Sequence, residues 1–405
     1  MANCIIAQSG GPTAVINSSV IGLLEKNIEM GYYENVYAGL NGIEGILNGN
    51  IINLSDLSSE EINEFKYTPS SGLGSCRYKM KDISESIEEY EKLIEILNSN
   101  NIKAFFYVGG NDSMDTVDKL GKYSKQKGLD INFIGIPKTI DNDLMFTDHT
   151  PGFGSAAKFI STTALETYLD SSVYINNGIF ILETMGRDTG WLAASACLAR
   201  INDKPVADFI YLPEIAFDVI SFLEDVREKF NKQNKVFIVV SEGLRTADGK
   251  FLTESTSGND KFGHAQLGGV GSYLRDLLIN SGITSRVKSL ELGVLQRCAM
   301  HCSSKLDIDE AFNVGAAALE YSTENNSGYM VSIKRESNAP YTVSYPLVEA
   351  SKVANNVKYF PTSLINEAGN NIKEEALEYF LPLISGSPNL VLHNNLPKFK
   401  TISRD

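Results

Sequence analysis

Short apolar runs alternate along the chain with longer stretches of helical period. The runs Asn3-Cys4-Ile5-Ile6-Ala7-Gln8, Lys103-Ala104-Phe105-Phe106-Tyr107-Val108 and Ile131-Asn132-Phe133-Ile134-Gly135-Ile136 read as buried strands. So do Gly178 to Glu183, Phe209 to Leu212 and Val236 to Val240; Asn35 to Gly39, Arg286 to Leu292 and Tyr329 to Ile333 are further strand-like segments. Between them the pattern predicts helices over Ala14 to Met30, Ile83 to Leu97, around Val117 and Leu120, over Trp191 to Arg200, through Asn280 and over Ile308 to Tyr321. Alternating strands and helices of this kind imply an α/β class with parallel sheets.

The polar residues sit where such strands end. Pro137-Lys138-Thr139-Ile140-Asp141-Asn142-Asp143 places a hydroxyl and two carboxylates after one apolar run, at the edge where open α/β sheets put their ligands. An isolated Thr-x-Asp-x-Asp is more often a cap or a solvated turn. Two other turns change that weighting. Ser9-Gly10-Gly11-Pro12-Thr13 and Gly109-Gly110-Asn111-Asp112-Ser113 each join a strand to a helix start, where backbone N–H groups and the helix dipole suit a phosphate. Asp112 or Ser113 is also a candidate cap of its helix. The small-residue loop Ser70 to Arg77 ends in an arginine able to grip phosphate with two N–H groups. Later strands lead to Met185-Gly186-Arg187 and Ser241-Glu242-Gly243, and Leu295-Gln296-Arg297 supplies another guanidinium.

Length and charge narrow the partners. A chain of 405 residues exceeds one ordinary core, so about two domains are expected. Five cysteines without paired spacing, and no apolar run near the length of a membrane span, point to a reduced cytoplasmic protein with no membrane partner. A net charge of −14 opposes nucleic acid, and any phosphate ligand must be held by local cations. Cys298, His301 and Cys302 lack a second ligand pair at zinc spacing and read as core. The adjacent glycines of the first turn do not form a dinucleotide fingerprint, which disfavours a nicotinamide dehydrogenase.

Taken in order and spacing, Gly10-Gly11-Pro12 with Asn17, Gly74 to Arg77, Gly109 to Ser113, Pro137 to Asp143, Met185 to Arg187, Ser241 to Gly243 and Leu295 to Arg297 resemble the phosphofructokinase family. The resemblance spans roughly residues 3 to 335. It implies two similar Rossmann-like three-layer α/β domains with largely parallel sheets, the active site in the cleft. A donor-binding domain is expected over 1–150 plus about 296–335, and a sugar-phosphate-binding domain over 151–295 plus about 336–405. Asp141 is implied as the base for the 1-hydroxyl of fructose 6-phosphate, with Thr139 and Asp143 in support. Met185, Gly186, Arg187, Glu242 and Arg297 are implied as the sugar-phosphate pocket, and Gly11, Arg77 and the Gly109-Gly110 turn as the donor side.

Asp112 and Lys138 resemble the pyrophosphate-dependent branch of the family, because ATP-dependent members usually have glycine at both places. A carboxylate at Asp112 crowds the α-phosphate of ATP, and Lys138 offers an ammonium to a compact anion. The resemblance implies Mg2+ as cofactor. Asn111 replaces a metal-associated aspartate, so the metal falls to Asp112 and pyrophosphate. It also implies a reversible role in glycolysis and gluconeogenesis, and a homodimer or homotetramer in which Arg286 or Lys288 reaches a neighbouring site. Val294 stands where many members have a sugar-contacting histidine. Three alternatives remain open: an ATP-dependent enzyme, sedoheptulose 7-phosphate as an added acceptor, and a silent sugar-phosphate-binding regulatory subunit.

Overall fold

The computed structural model describes residues 2–175, 177–253, 267–324 and 326–402. It divides into two compact units, Met1–Ser155 with Arg297–Val357 and Ser385–Asp405, and Ala156–Gln296 with Lys358–Ile384.

The first unit is built on a seven-stranded sheet. In spatial order its strands are Leu347–Glu349, Tyr329–Val331, Asn132–Pro137, Ile102–Gly109, Asn3–Gln8, Val36–Gly39 and Ile51–Asn53. The five inner strands run parallel, and the edge strands Ile51–Asn53 and Leu347–Glu349 pair antiparallel. The apolar runs are continuous because both faces are covered. Cys4, Ile6, Ala104, Phe106 and Val108 belong to one core cluster, whereas Ile5, Ala7, Phe105 and Tyr107 belong to another. Helices Ile16–Met30 and Lys305–Ser322 pack together so closely that a Cβ on Gly22 would lie 1.9 Å from the Phe312 carbonyl oxygen, and one on Gly315 2.0 Å from that of Ser19.

The second unit has a four-stranded, wholly parallel sheet in the order Val287–Glu291, Ile179–Thr184, Val236–Ser241, Phe209–Tyr211. Its core is filled by Ile181, Ile238, Val240, Leu274 and the aromatic group Tyr211, Phe217 and Phe222.

Three expectations shift. The helix expected from Ile83 begins at Ile87, which is exposed, and Tyr90, Leu93, Ile94 and Leu97 form its buried face. The Trp191 to Arg200 helix is only Trp191–Ser195, followed by a 3-10 turn and the short strand Arg200–Ile201. The tail is shared differently from the expected 336–405 block, since only Lys358–Ile384 joins the second unit. Strand Leu347–Glu349 extends the seven-stranded sheet, and Lys398 and Lys400 pair with Glu60, Glu64 and Glu61, which ties both ends of the tail to the first unit.

Candidate active site

Three neighbouring strands of the first unit end in register. Gln8 lies opposite Val108, and Gly109 opposite Pro137, so the turns that follow all open from one carboxyl edge. Backbone bonds hold them there: Ser9 N–H donates to the Val108 carbonyl at 2.9 Å, and Lys138 N–H to that of Gly109 at 2.9 Å. Glycine is required at 109, because a Cβ would lie 1.9 Å from Ser113 Oγ.

Neither carboxylate turn does what a capping role demands. The Asn111–Lys127 helix has Gly110 as N-cap and no side-chain capping bond, so Asp112 and Ser113 already lie inside its first turn. The Asp112 carboxylate is 37% exposed and 3.9 Å from Lys79 Nζ. No helix begins after Asp141 or Asp143 until Phe153. That stretch is instead fixed by its own network. Thr139 Oγ1 accepts from Asp141 N–H at 3.0 Å, Thr150 Oγ1 donates to the Thr139 carbonyl at 2.9 Å, and Asn142 is buried with φ 54°. Behind it Asp307 accepts from Gly152 N–H at 2.8 Å and Ser155 N–H at 2.9 Å. Burial pushes the Asp307 carboxyl up to about 6 despite these donors.

Lys138 is the centre of this group. It is 3% exposed, and its Nζ donates to the Gly11 carbonyl at 2.5 Å. Burial pulls the ammonium down to about 8; Asp141 and Asp143 oppose that shift, while Arg297 and Arg77 add to it. A Cβ on Gly11 would lie 3.4 Å from Arg297 Nη1. Lys138, Thr139, Asp141, Asp143, Gly11, Arg297 and Arg77 are thus brought within one electrostatic neighbourhood, with Arg77 on its exposed side.

The loop carrying Arg77 is tied to the sheet by residues whose role sequence reasoning left unassigned. Gln8 Nε2 donates to Asn17 Oδ1 at 2.8 Å, and Gln8 Oε1 accepts from Leu73 N–H at 3.1 Å. Asn17 Nδ2 donates to the carbonyls of Thr68 and Ser70, and its Oδ1 accepts from Gly72 N–H. Gln8 closes a strand whose four preceding residues are apolar, and a polar residue at that place is the signal the sequence offers. Ser75 Oγ then donates to the Gly10 carbonyl at 2.7 Å, and Gly10 N–H to that of Cys76 at 3.0 Å.

In the second unit two adjacent strand ends carry the other candidates. Glu242 N–H donates to the Thr184 carbonyl at 2.9 Å, which sets the Ser241–Gly243 turn beside Met185–Arg187. Gly186 has φ 122°, and a Cβ on Gly243 would lie 2.0 Å from the Arg187 carbonyl oxygen, so both glycines are demanded by the backbone. Met185 N–H donates to Gln296 Oε1 at 3.2 Å, and Ser241 Oγ to the Gly186 carbonyl. Arg187 Nε lies 3.7 Å from Asp188, whose carboxylate also takes Arg245 Nη2 at 2.8 Å. Asp188 thus lies between the two guanidinium groups of Arg187 and Arg245.

Residues 3–321 match the Phosphofructokinase family. The chain belongs to that family. It is 40% identical over 408 residues to a pyrophosphate–fructose 6-phosphate 1-phosphotransferase of Halomonas elongata, covering 99% of this chain and 96% of the relative. A protein of the same name from Methylococcus capsulatus is 40% identical over 403 residues, with 99% and 96% covered. Among solved structures, the pyrophosphate-dependent phosphofructokinase from Nitrosospira multiformis superposes with a TM-score of 0.88 at 37% identity, covering 98% of this chain and 96% of that one. The strand-end turns described above all lie within the segment matched to the phosphofructokinase family.

Proposed function

We propose that this phosphofructokinase-family protein is a phosphotransferase that moves a phosphoryl group reversibly from pyrophosphate to the 1-hydroxyl of fructose 6-phosphate. The observation that carries the donor assignment is Lys138: a buried ammonium at the Gly10-Gly11 turn, accompanied by Arg77 and Arg297. Such a cluster supplies fixed positive charge to the oxygens of a compact diphosphate, and charge held in a dry site stabilises phosphoryl transfer more than charge in water. Asp112 in the first turn of the following helix narrows the space and repels a longer polyphosphate.

Asp141 takes the hydroxyl proton in this reading, with its backbone held by Thr139 Oγ1 and with Asp143 as its charged neighbour. Arg187 grips sugar-phosphate oxygens, Glu242 accepts sugar hydroxyls, and Met185 and Gly186 shape the pocket, whereas Arg297, expected in that pocket, lies beside Gly11 in the first unit and joins the donor group. The first unit therefore has the donor role and the second the sugar-phosphate role.

Chemistry of this family employs a divalent cation, and Mg2+ suits the residues present. Among the described residues, Asn111 Nδ2 is committed to the Asn356 carbonyl at 2.6 Å while its buried Oδ1 has no hydrogen-bond partner, and the Asp112 carboxylate meets only a long ion pair. Among the described residues no group of three acidic, His or Cys side chains forms a ready-made metal cage. Asp112 and Asn111 would hold a cation that retains waters and borrows phosphate oxygens, and it would neutralise charge on the transferring group. Free thiols at all five cysteines suit a cytoplasmic enzyme, and no described helix is long and apolar enough to cross a membrane. A homodimer or homotetramer completes the proposal.

The test is an initial-rate assay of purified protein with fructose 6-phosphate and Mg2+, pyrophosphate against ATP. Pyrophosphate is expected to win by about a hundredfold in kcat/KM, about 2.7 kcal/mol of transition-state discrimination. A preference for ATP would overturn the donor assignment and leave the fold intact.

A further inference from the structure

The last described residues run along the elements that support the donor side of the first unit. Leu390 packs against the cluster of Ala14, Val15, Met300, Ile308 and Ala311, just beyond the Gly10–Thr13 turn. A hairpin of Leu392–His393 with Leu396–Pro397 then reverses the chain through Asn394 and Asn395, both at left-handed φ of 50° and 65°. Past the hairpin, Lys398 Nζ reaches Glu64 at 2.5 Å and Glu60 at 3.1 Å, and Lys400 Nζ reaches Glu61 at 2.6 Å. These three carboxylates lie on helix Ser59–Lys66, and Glu64 is only 6% exposed. Ile402 packs on the main core cluster.

The backbone of this segment closes a connected path. Thr68 Oγ1 accepts from Lys400 N–H at 3.0 Å and shares its own hydrogen between the Glu64 carbonyl at 3.0 Å and the Lys400 carbonyl at 3.2 Å. The Thr68 carbonyl in turn accepts from Asn17 Nδ2 at 2.7 Å. Asn17 is fully buried and holds Ser70 and Gly72, and Gln8 holds Leu73, so the path continues into the loop that ends at Arg77. Leu390 supports the other donor turn through Ala14 and Val15.

We infer that residues 390–402 form a strap that positions the phosphate-donor side, with Thr68, Lys398 and Lys400 as positioning residues acting through Asn17 on the Arg77 loop. The inference rests on the pyrophosphate reading for the identity of the ligand, but the mechanical path does not. A tail that only added stability would alter folding and leave the two substrates on an equal footing. A strap on the donor side alters them unequally.

The experiment measures KM for pyrophosphate and for fructose 6-phosphate in full-length Thr68→Val, in Lys398→Met/Lys400→Met and in Thr68→Ser, with urea midpoints alongside. Thr68→Val and the double variant are expected to raise KM for pyrophosphate about fivefold and to leave that for fructose 6-phosphate within about twofold, while Thr68→Ser, which keeps the hydroxyl, restores the wild-type value. Equal changes in both KM values, or a lowered urea midpoint with both unchanged, would overturn the strap. If the wild type uses ATP in place of pyrophosphate, the donor reading fails separately. The strap then stands or falls on KM for ATP in the same variants.

Discussion

The turn after Pro137 and the turn after Thr184 both leave the carboxyl end of a parallel strand, yet they carry their charge in opposite ways. In the first, the ammonium of Lys138 is taken out of water and set among two carboxylates and two guanidinium groups. In the second, the guanidinium of Arg187 keeps about a third of its side-chain surface exposed, and the tightness lies in the backbone, where Gly186 and Gly243 leave no room for a Cβ. Buried charge stabilises charge that develops in a reaction, whereas a shaped backbone with accessible charge suits recognition of a bound group. We accordingly propose chemistry for the first turn and the holding of a sugar phosphate for the second.

The strongest way to break that contrast is Asp141→Asn. As the base it should lower kcat by about a thousandfold while KM for each substrate moves little, read from initial rates. A loss under tenfold would move the proton transfer elsewhere.

Lys138→Met comes next. It preserves the aliphatic volume and removes the ammonium, and kcat/KM with pyrophosphate should fall about a hundredfold. The pH profile adds a sign. Lys138 is cationic below about 8, so in the wild type kcat/KM for pyrophosphate should decline as pH rises through that value, and the decline should vanish in Lys138→Met. Stability runs the other way. The unfolded chain keeps the lysine proton to about 10.4, whereas the folded chain loses it near 8, so between those values this group's contribution to stability rises with pH. Urea midpoints across that window should show the rise in wild type and lack it in the variant.

Gly243→Ala probes the second turn. Its Cβ would press on the Arg187 carbonyl from 2.0 Å, and KM for fructose 6-phosphate should rise about tenfold with the pyrophosphate KM unchanged. Equal effects on both substrates would erase the division of labour between the turns.

Much of this was legible in the sequence because strands buried on both faces read as unbroken apolar runs, and the polar groups then stand out at their ends. Lys138, Asp141 and Asp143 announced themselves in that way. Capping roles for Asp112 and Ser113 failed because helix starts are decided by backbone geometry, and Gly110 takes the cap without a side chain. Ile83 was mistaken for a helical position because an apolar residue in a turn can also pack on the core. The supports were hidden for a different reason. Thr150, Asp307 and Gln8 act on residues far along the chain or through one backbone bond, and no local pattern encodes such a partner. The same holds for the tail, whose attachment to the first unit depends on pairing Glu60, Glu61 and Glu64 with lysines more than three hundred residues later.

The most direct measurement is donor preference in Asp112→Gly/Lys138→Gly, taken as kcat/KM for pyrophosphate over that for ATP with fructose 6-phosphate as acceptor. Removing the crowding carboxylate and the buried ammonium together should shift that ratio toward ATP by about a hundredfold or more. An unchanged ratio in an active double variant would contradict the account, since donor choice would then lie outside these two residues.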